Sequence, residues 1–166
     1  MNELPVVLIV MGSDSDLPVM QEAADVLAQF GVPCEVRISS AHRSPARTMA
    51  LASEAAGRGI RIIIAGAGMA AHLAGVVAAK TVLPVIGVPM PGGALNGVDA
   101  LYSTVQMPAG IPVATMAIGK AGAKNAGIFA VQILALNDAR LAEELEKYRH
   151  EMDLECARKD TALQIP

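Results

Sequence analysis

The chain has 166 residues, of which 53% are hydrophobic, 17% charged and 2% aromatic, and its formal net charge is -3. This length suits one domain that buries enough apolar surface to fold without disulfides, and the composition excludes a disordered chain. There is no basic block, and two Tyr and two Phe offer little base stacking, so we expect a small-molecule ligand and no nucleic acid.

The cysteines and the apolar runs bear on location. Cys34 and Cys156 are too few for a disulfide framework and match no metal-ligand spacing, which favours a reducing, cytoplasmic compartment. The first apolar run follows Glu3 without a preceding Lys or Arg, unlike a secretory signal. Runs 62–79 and 100–119 lack Asp, Glu, Lys and Arg, but glycine or proline interrupts each one. We therefore predict no membrane-spanning helix.

The predicted elements alternate between strand and helix along the chain. Apolar, β-branched runs predict five strands, at 5–11, 34–39, 60–65, 84–88 and 113–118. Helical patterns cover 17–30, 46–56, 69–80, about 98–104 and 121–136. Strands that are buried on both faces and separated by helices predict an α/β fold. We expect a three-layer, doubly wound parallel sheet of the flavodoxin-like type, with strand order 2-1-3-4-5.

Local signals set the ends of the first two helices. Ser15 or Asp16 can cap the first helix, and Gly31 ends it, because hydroxyl and carboxylate side chains satisfy the first N–H groups. Ser44 is the predicted N-cap of the second helix, and Pro45 occupies its first position.

Charge is distributed unevenly. Of the 29 charged residues, 13 lie between 138 and 160. An amphipathic helix is predicted over 138–155, where apolar side chains recur every three to four residues. We therefore predict one α/β domain over 1–137 and a C-terminal helix and tail over 138–166.

The body of the chain is poor in charge, which suggests self-association. The helix at 121–136 carries only Lys124 and is apolar around most of its circumference, so we expect neighbouring copies of the chain to cover it, with 138–166 as an oligomer contact. The alternative is a single, very apolar α/β core.

Ligands of open α/β sheets bind at the carboxyl ends of the strands, where loops 12–16, 39–44 and 66–72 should meet. The first loop offers the hydroxyls of Ser13 and Ser15 at a helix N-terminus, where N–H groups favour an anion. Asp16 either accepts hydrogen bonds from ribose hydroxyls or serves only as a helix cap.

The second and third loops carry the remaining candidates. Arg43 suits a phosphate and His42 suits proton transfer, although a lone loop histidine is often only solvated. His72 is interpreted as a core imidazole on an apolar helix, with a role in the site as the alternative. The stretch from Gly66 matches the dinucleotide fingerprint G-x-G-x-x-A but lacks its acidic ribose ligand. We interpret that stretch as a backbone N–H surface for a carboxylate or phosphate.

Five motifs occur in order along the chain. They are Met-Gly-Ser-Asp-Ser-Asp (11–16), Ser-Ala-His-Arg-Ser-Pro (40–45), Ala-Gly-Ala-Gly-Met-Ala-Ala-His-Leu (65–73), Gly-Val-Pro (87–89) and Val-Gln-Met-Pro-Ala-Gly-Ile-Pro-Val-Ala-Thr (105–115). Together these motifs resemble the class I N5-carboxyaminoimidazole ribonucleotide mutase (PurE) family of purine biosynthesis.

The resemblance implies an isomerase that moves the substrate's N5-carboxylate to C4 of the imidazole by decarboxylation and recarboxylation, without metal or cofactor. It implies His42 as the catalytic proton carrier. It also implies that six residues bind the substrate or line its pocket: Ser13, Asp16, Arg43, Ser40, Ala67 and Gly68. Ser15 and His72 are further candidates, and the expected assembly is a homo-octamer. This chain departs from the family in having Met69 in place of Gly and Ala74 in place of Pro.

Two alternatives remain at this stage. One is a class II aminoimidazole ribonucleotide carboxylase with the same fold and product. The other is a non-catalytic, flavodoxin-like nucleotide-binding domain, in which His42 would be dispensable because a binding module needs no titrating group.

Overall fold

The computed structural model describes residues 4–163, which contain one sheet of five parallel strands in the order β2-β1-β3-β4-β5. The strands are β1 (Val7–Met11), β2 (Cys34–Ile38), β3 (Ile62–Ala67), β4 (Val85–Pro89) and β5 (Ala114–Thr115). The helices of the described residues are α1 (Leu17–Gln29), α2 (Pro45–Glu54), α3 (Leu73–Ala78), α4 (Val98–Val105), α5 (Lys120–Ala135) and α6 (Ala139–Leu163). The predicted fold class and strand order are confirmed.

The core lies on both faces of the sheet, because side chains of a strand point alternately to opposite faces. On one face Leu8, Val10 and Ile63 join buried residues of α2 and α3 in a single apolar cluster. On the other face Ile9 and Met11 point toward α1, which contacts β1. Each fully buried aliphatic side chain contributes about 1.5–3 kcal/mol, so the central strands hold the three layers together.

Helix α5 approaches α1 closely at Gly127. A Cβ at this position would lie 2.9 Å from the carbonyl oxygen of Ala23 and 2.9 Å from Cβ of Val26. The missing side chain lets the two helices meet almost backbone to backbone, which fixes α1 and the loop that precedes it.

Two predicted elements are shorter than expected. The helix predicted at 69–80 is observed only at 73–78, and its predicted first residue, Met69, adopts a left-handed backbone conformation with φ +54° that no α-helix accommodates. The strand predicted at 113–118 is reduced to two residues that pair with β4 alone, and Gly119 then turns back to donate to the carbonyl oxygen of Pro89. The C-terminal helix is longer than predicted and continues to Leu163.

The fifth helix, which the sequence pattern describes as apolar around most of its circumference, has a mainly polar exposed face. Its exposed positions are Lys120, Ala121, Lys124, Asn125 and Gln132, and all but one of them are polar. Exposed apolar side chains occur instead on the edge strand β2, where Val36 and Ile38 are 41% and 46% exposed.

Internal contacts divide the chain into two compact units, with the boundary between Ala130 and Val131 inside α5. Within the second unit, residues 151–163 of α6 are exposed along their whole length. The two long uncharged runs of the sequence form strands, loops and short helices, and no helix within residues 4–163 is both long and apolar enough to cross a membrane.

Candidate functional site

A cavity of about 600 Å³ opens at the carboxyl ends of the first four strands. It falls in the size range of small-molecule sites. All nine residues singled out in the sequence line it, namely Ser13, Ser15, Asp16, Ser40, His42, Arg43, Ala67, Gly68 and His72. The strand order explains this convergence, because β2 and β3 flank β1 and deliver their loops to the same edge.

The loop after β1 is a short 3-10 turn over Asp14–Asp16 that is capped by Ser13. The Ser13 hydroxyl accepts from the backbone N–H of Ser15 at 3.3 Å, and the Asp16 carboxylate accepts from the backbone N–H of Ser13 at 3.0 Å. The predicted cap by Ser15 or Asp16 is therefore wrong in detail, since Asp16 makes no side-chain cap bond to α1. Its carboxylate instead holds the 3-10 turn in shape.

Asp16 is half-buried in this arrangement, and burial raises the pKa of its carboxyl above the ordinary value. The N–H groups of Ser13 and Gly12 and the nearby Arg43 guanidinium oppose this effect but do not cancel it. A carboxylate that has lost part of its water is a strong acceptor for hydroxyl groups that enter the cavity.

The loop after β2 is closed by a pair of serines. Ser44 accepts from the N–H of Ser40 at 3.0 Å and donates to its carbonyl oxygen at 3.1 Å. Ser44 therefore stands at the predicted N-cap position, but its side chain makes no cap bond to α2. Within this tight turn, the side chains of His42 and Arg43 are exposed. The Arg43 guanidinium donates to the carbonyl oxygen of Gly12 at 2.7 Å. Arg43 thus joins the first loop to the second.

The two histidines of the cavity contact each other. Nε2 of His42 lies 2.8 Å from Nδ1 of His72, and the rings meet edge to face with centroids 5.0 Å apart. A hydrogen bond between two imidazole nitrogens needs one N–H and one lone pair, so one of the two contacting nitrogens donates and the other accepts. The prediction of a core imidazole for His72 is wrong, because its side chain is exposed and precedes α3.

The third loop forms the floor and one wall of the cavity. A side chain at Gly66 would collide with Met20 and Met90, and one at Gly68 would lie 3.3 Å from Cβ of Met90. Glycine at these two positions therefore lets the third loop pack closely against the side chains of Met20 and Met90. Met69 then holds its left-handed conformation, at a cost of about 1–2 kcal/mol for a residue with a Cβ.

Sequence reasoning missed the contribution of the loop after β4. Met90, Pro91, Gly92 and Gly93 complete the cavity wall. The rule that found the other loops, that ligands meet the carboxyl ends of parallel strands, applies equally to β4 and could have found these residues.

A smaller cavity of about 380 Å³ adjoins the first and shares Gly12, Ser13, Ser40 and Arg43 with it. It adds Arg47 from the first turn of α2, so two guanidinium groups border this end of the site. No group of three or more His, Cys, Asp or Glu side chains in the described part of the chain is arranged to hold a metal ion.

Comparison with known proteins identifies the family. Residues 6–155 match the AIR carboxylase family. An N5-carboxyaminoimidazole ribonucleotide mutase from Pyrococcus horikoshii is 54% identical over 163 residues, covering 98% of this chain and 91% of that protein. A Synechocystis protein of the same name is 57% identical over 160 residues, covering 96% and 90%. The crystal structure of Treponema denticola PurE is 30% identical with a TM-score of 0.87, covering 97% and 99%. This chain therefore belongs to the AIR carboxylase family.

Proposed function

We propose that the chain is an N5-carboxyaminoimidazole ribonucleotide mutase of purine biosynthesis, an isomerase that converts its substrate to 4-carboxy-5-aminoimidazole ribonucleotide. The observation that carries the proposal is identity of 54% and 57% to two proteins of that name over nearly the whole chain. The convergence of the three predicted loops on one cavity supports it.

The cavity offers a partner for each part of the substrate. Arg43 and the hydroxyls of Ser13 and Ser40 form a polar, cationic end that suits the phosphate, and Ser15 lies beside it. The Asp16 carboxylate suits the ribose hydroxyls. This assignment directs the imidazole ring of the substrate toward His42 and the third loop.

The chemistry then needs one proton carrier and a sheltered space. Cleavage of the N5–carboxylate bond leaves its electron pair on the aminoimidazole and releases carbon dioxide, which C4 attacks. His42 takes the C4 proton, which restores the aromatic ring, and returns a proton to N5. The backbone of Ala67 and Gly68 lines the space for carbon dioxide. His72 positions His42 through the 2.8 Å contact. No step of this scheme uses a metal or a cofactor.

The test is turnover by chelator-treated protein. We expect the N5-carboxylated ribonucleotide to be converted to its C4 isomer without ATP, metal or added bicarbonate. If the protein instead makes the same product only from aminoimidazole ribonucleotide and carbon dioxide, it is a carboxylase of the class II type. If it binds the ribonucleotide without any turnover, the binding-module alternative replaces the proposal.

We also propose that the enzyme is a cytoplasmic homo-oligomer, with eight copies as the expected number. The exposed side chains of Val36 and Ile38 and the exposed apolar residues of α6, such as Met152, support further contacts between copies. In this proposal residues 1–137 form the catalytic domain and 138–166 form an oligomer contact, with 1–3 and 164–166 lying outside the described residues. Native mass spectrometry should show a closed assembly of the 17.1 kDa chain, and a stable, active monomer would contradict this proposal.

A further inference from the structure

Asp14 places a negative charge at the end of the site that is proposed to hold the phosphate of the substrate. Its side chain is exposed and lines the smaller cavity beside Ser13 and Arg43. Oδ1 of Asp14 accepts from the hydroxyl of Ser13 at 3.0 Å and from the backbone N–H of Ser15 at 3.0 Å. Hydroxyl and backbone N–H groups are also donors that bind phosphate oxygens. Asp14 therefore occupies donors that a bound phosphate would use.

The charged groups around the smaller cavity act on a phosphate in opposite directions. Among the described residues, Asp14, Arg43 and Arg47 are the charged ones that line it. Neither arginine forms an ion pair with Asp14 within residues 4–163, so both guanidinium groups keep donors for a phosphate, whereas Asp14 repels it. Burial is the largest cause of the raised pKa of Asp16, and the negative charge of Asp14 raises that pKa further. The charge of Asp14 therefore also acts on the larger cavity.

We propose that Asp14 limits the affinity of the site for the phosphate of the ribonucleotide, by competing for the donors of Ser13 and Ser15 and by repelling the bound anion. This inference rests on the proposed mutase function. When the phosphate enters, the Asp14 carboxylate releases both donors and turns toward solvent, which its exposure allows. The lost hydrogen bonds and the repulsion between like charges both weaken binding. Substrate and product carry the same phosphate, so Asp14 affects the binding of both and leaves the chemical step unchanged.

The experiment compares two ligands that differ only in the phosphate. They are the product, 4-carboxy-5-aminoimidazole ribonucleotide, and its phosphate-free ribonucleoside, and their Kd values are measured by calorimetry at low and at high ionic strength. Steady-state kinetics give KM and kcat for the substrate. Asp14→Asn keeps an acceptor oxygen but removes the charge, and Asp14→Ala removes both. Asp25→Asn is the matched control, because Asp25 is an exposed aspartate that accepts from Gln21 at 2.8 Å and lines neither cavity.

We expect Asp14→Asn to lower the Kd of the ribonucleotide and the KM of the substrate by about 3- to 10-fold at low ionic strength. Asp14→Ala should lower both values as well, and the gain should shrink at high ionic strength because salt screens the repulsion. The Kd of the ribonucleoside should not change, and Asp25→Asn should behave as the wild type does.

The inference is overturned if Asp14→Asn and Asp14→Ala bind the ribonucleotide no more tightly than the wild type. It is also overturned if the ribonucleoside gains affinity by the same factor, because the effect would then not involve the phosphate. A merely structural role of Asp14 would lower the melting temperature and weaken the binding of both ligands. A wild-type protein that binds the ribonucleotide but does not convert the N5-carboxylated substrate would instead contradict the proposed function.

Discussion

Replacement of His72 tests whether the imidazole pair positions the proton carrier. His72→Phe keeps an aromatic ring but removes the nitrogen that contacts His42 at 2.8 Å. The net worth of one such hydrogen bond is about 0.5–1.5 kcal/mol, or about 2- to 12-fold in rate. We expect kcat to fall by this factor with little change in KM, because the bond orients His42 and does not touch the substrate. His72→Asn, which places a polar atom near the position of Nδ1, should restore part of the rate.

The comparison with His42 is decisive. His42→Asn removes the proton carrier itself and should lose about 100-fold or more in kcat while retaining ligand affinity. If His72 acts only through His42, the double variant His42→Asn/His72→Phe should be no slower than His42→Asn alone. Independent, multiplicative losses would refute the positioning role, and near-normal turnover by His42→Asn would refute the role of His42. The side chains of His42 and His72 are both exposed, so the melting temperatures of these variants should stay close to that of the wild type. A lower melting temperature would show that a variant is misfolded.

Three further predictions concern binding, pH and packing. Arg43→Ala should raise KM by about 10- to 100-fold with a smaller effect on kcat, because it removes charge-assisted hydrogen bonds to the phosphate; steady-state kinetics measure the two separately. Asp16→Asn should weaken substrate binding yet stabilise the free protein at pH 7, since burial raises the pKa of this carboxyl and its ionised form costs stability in the fold. The contribution of Asp16 to the free energy of unfolding of the wild type falls as the pH rises above the ordinary carboxyl pKa of 3.8. The gain in free energy of unfolding of Asp16→Asn over the wild type, measured with denaturant, should therefore shrink as the pH is lowered toward 4, and a gain that grows there would contradict the prediction. Gly127→Ala should lower the melting temperature by about 2–10 °C, because its Cβ meets the backbone of Ala23. The control Gly57→Ala, which has open space around it, should leave the melting temperature unchanged or raise it slightly.

The fold could be predicted from the sequence because its strands are unambiguous. Continuous apolar, β-branched runs such as 5–11 do not show the periodic pattern of an amphipathic helix, so they are predicted as buried strands. The helices predicted between these strands then require the strands to be parallel. The failures came where tertiary contacts override local pattern. Residues 69–72 carry a helical composition, but the backbone at Met69 is left-handed. Strand β5 ends after two residues because the chain turns back onto Pro89, which no local signal in 113–118 reveals.

The residues that each loop contributes to the site could be predicted from the sequence, but the contacts between loops could not. Gly12, Ser40 and Arg43 stand at strand ends, where a general rule places ligands. The His42–His72 pair depends on two loops that are 30 residues apart in sequence, and composition favoured the core for an imidazole beside Leu73. The predicted strand order, however, is enough to place the two histidines near each other. With β1 between β2 and β3, both histidines follow strands that flank the same central strand, so their side chains reach across its carboxyl end from opposite sides. A polar residue in a strand-end loop should therefore be judged by the neighbours that the sheet order gives it, and less by the hydropathy of its own segment.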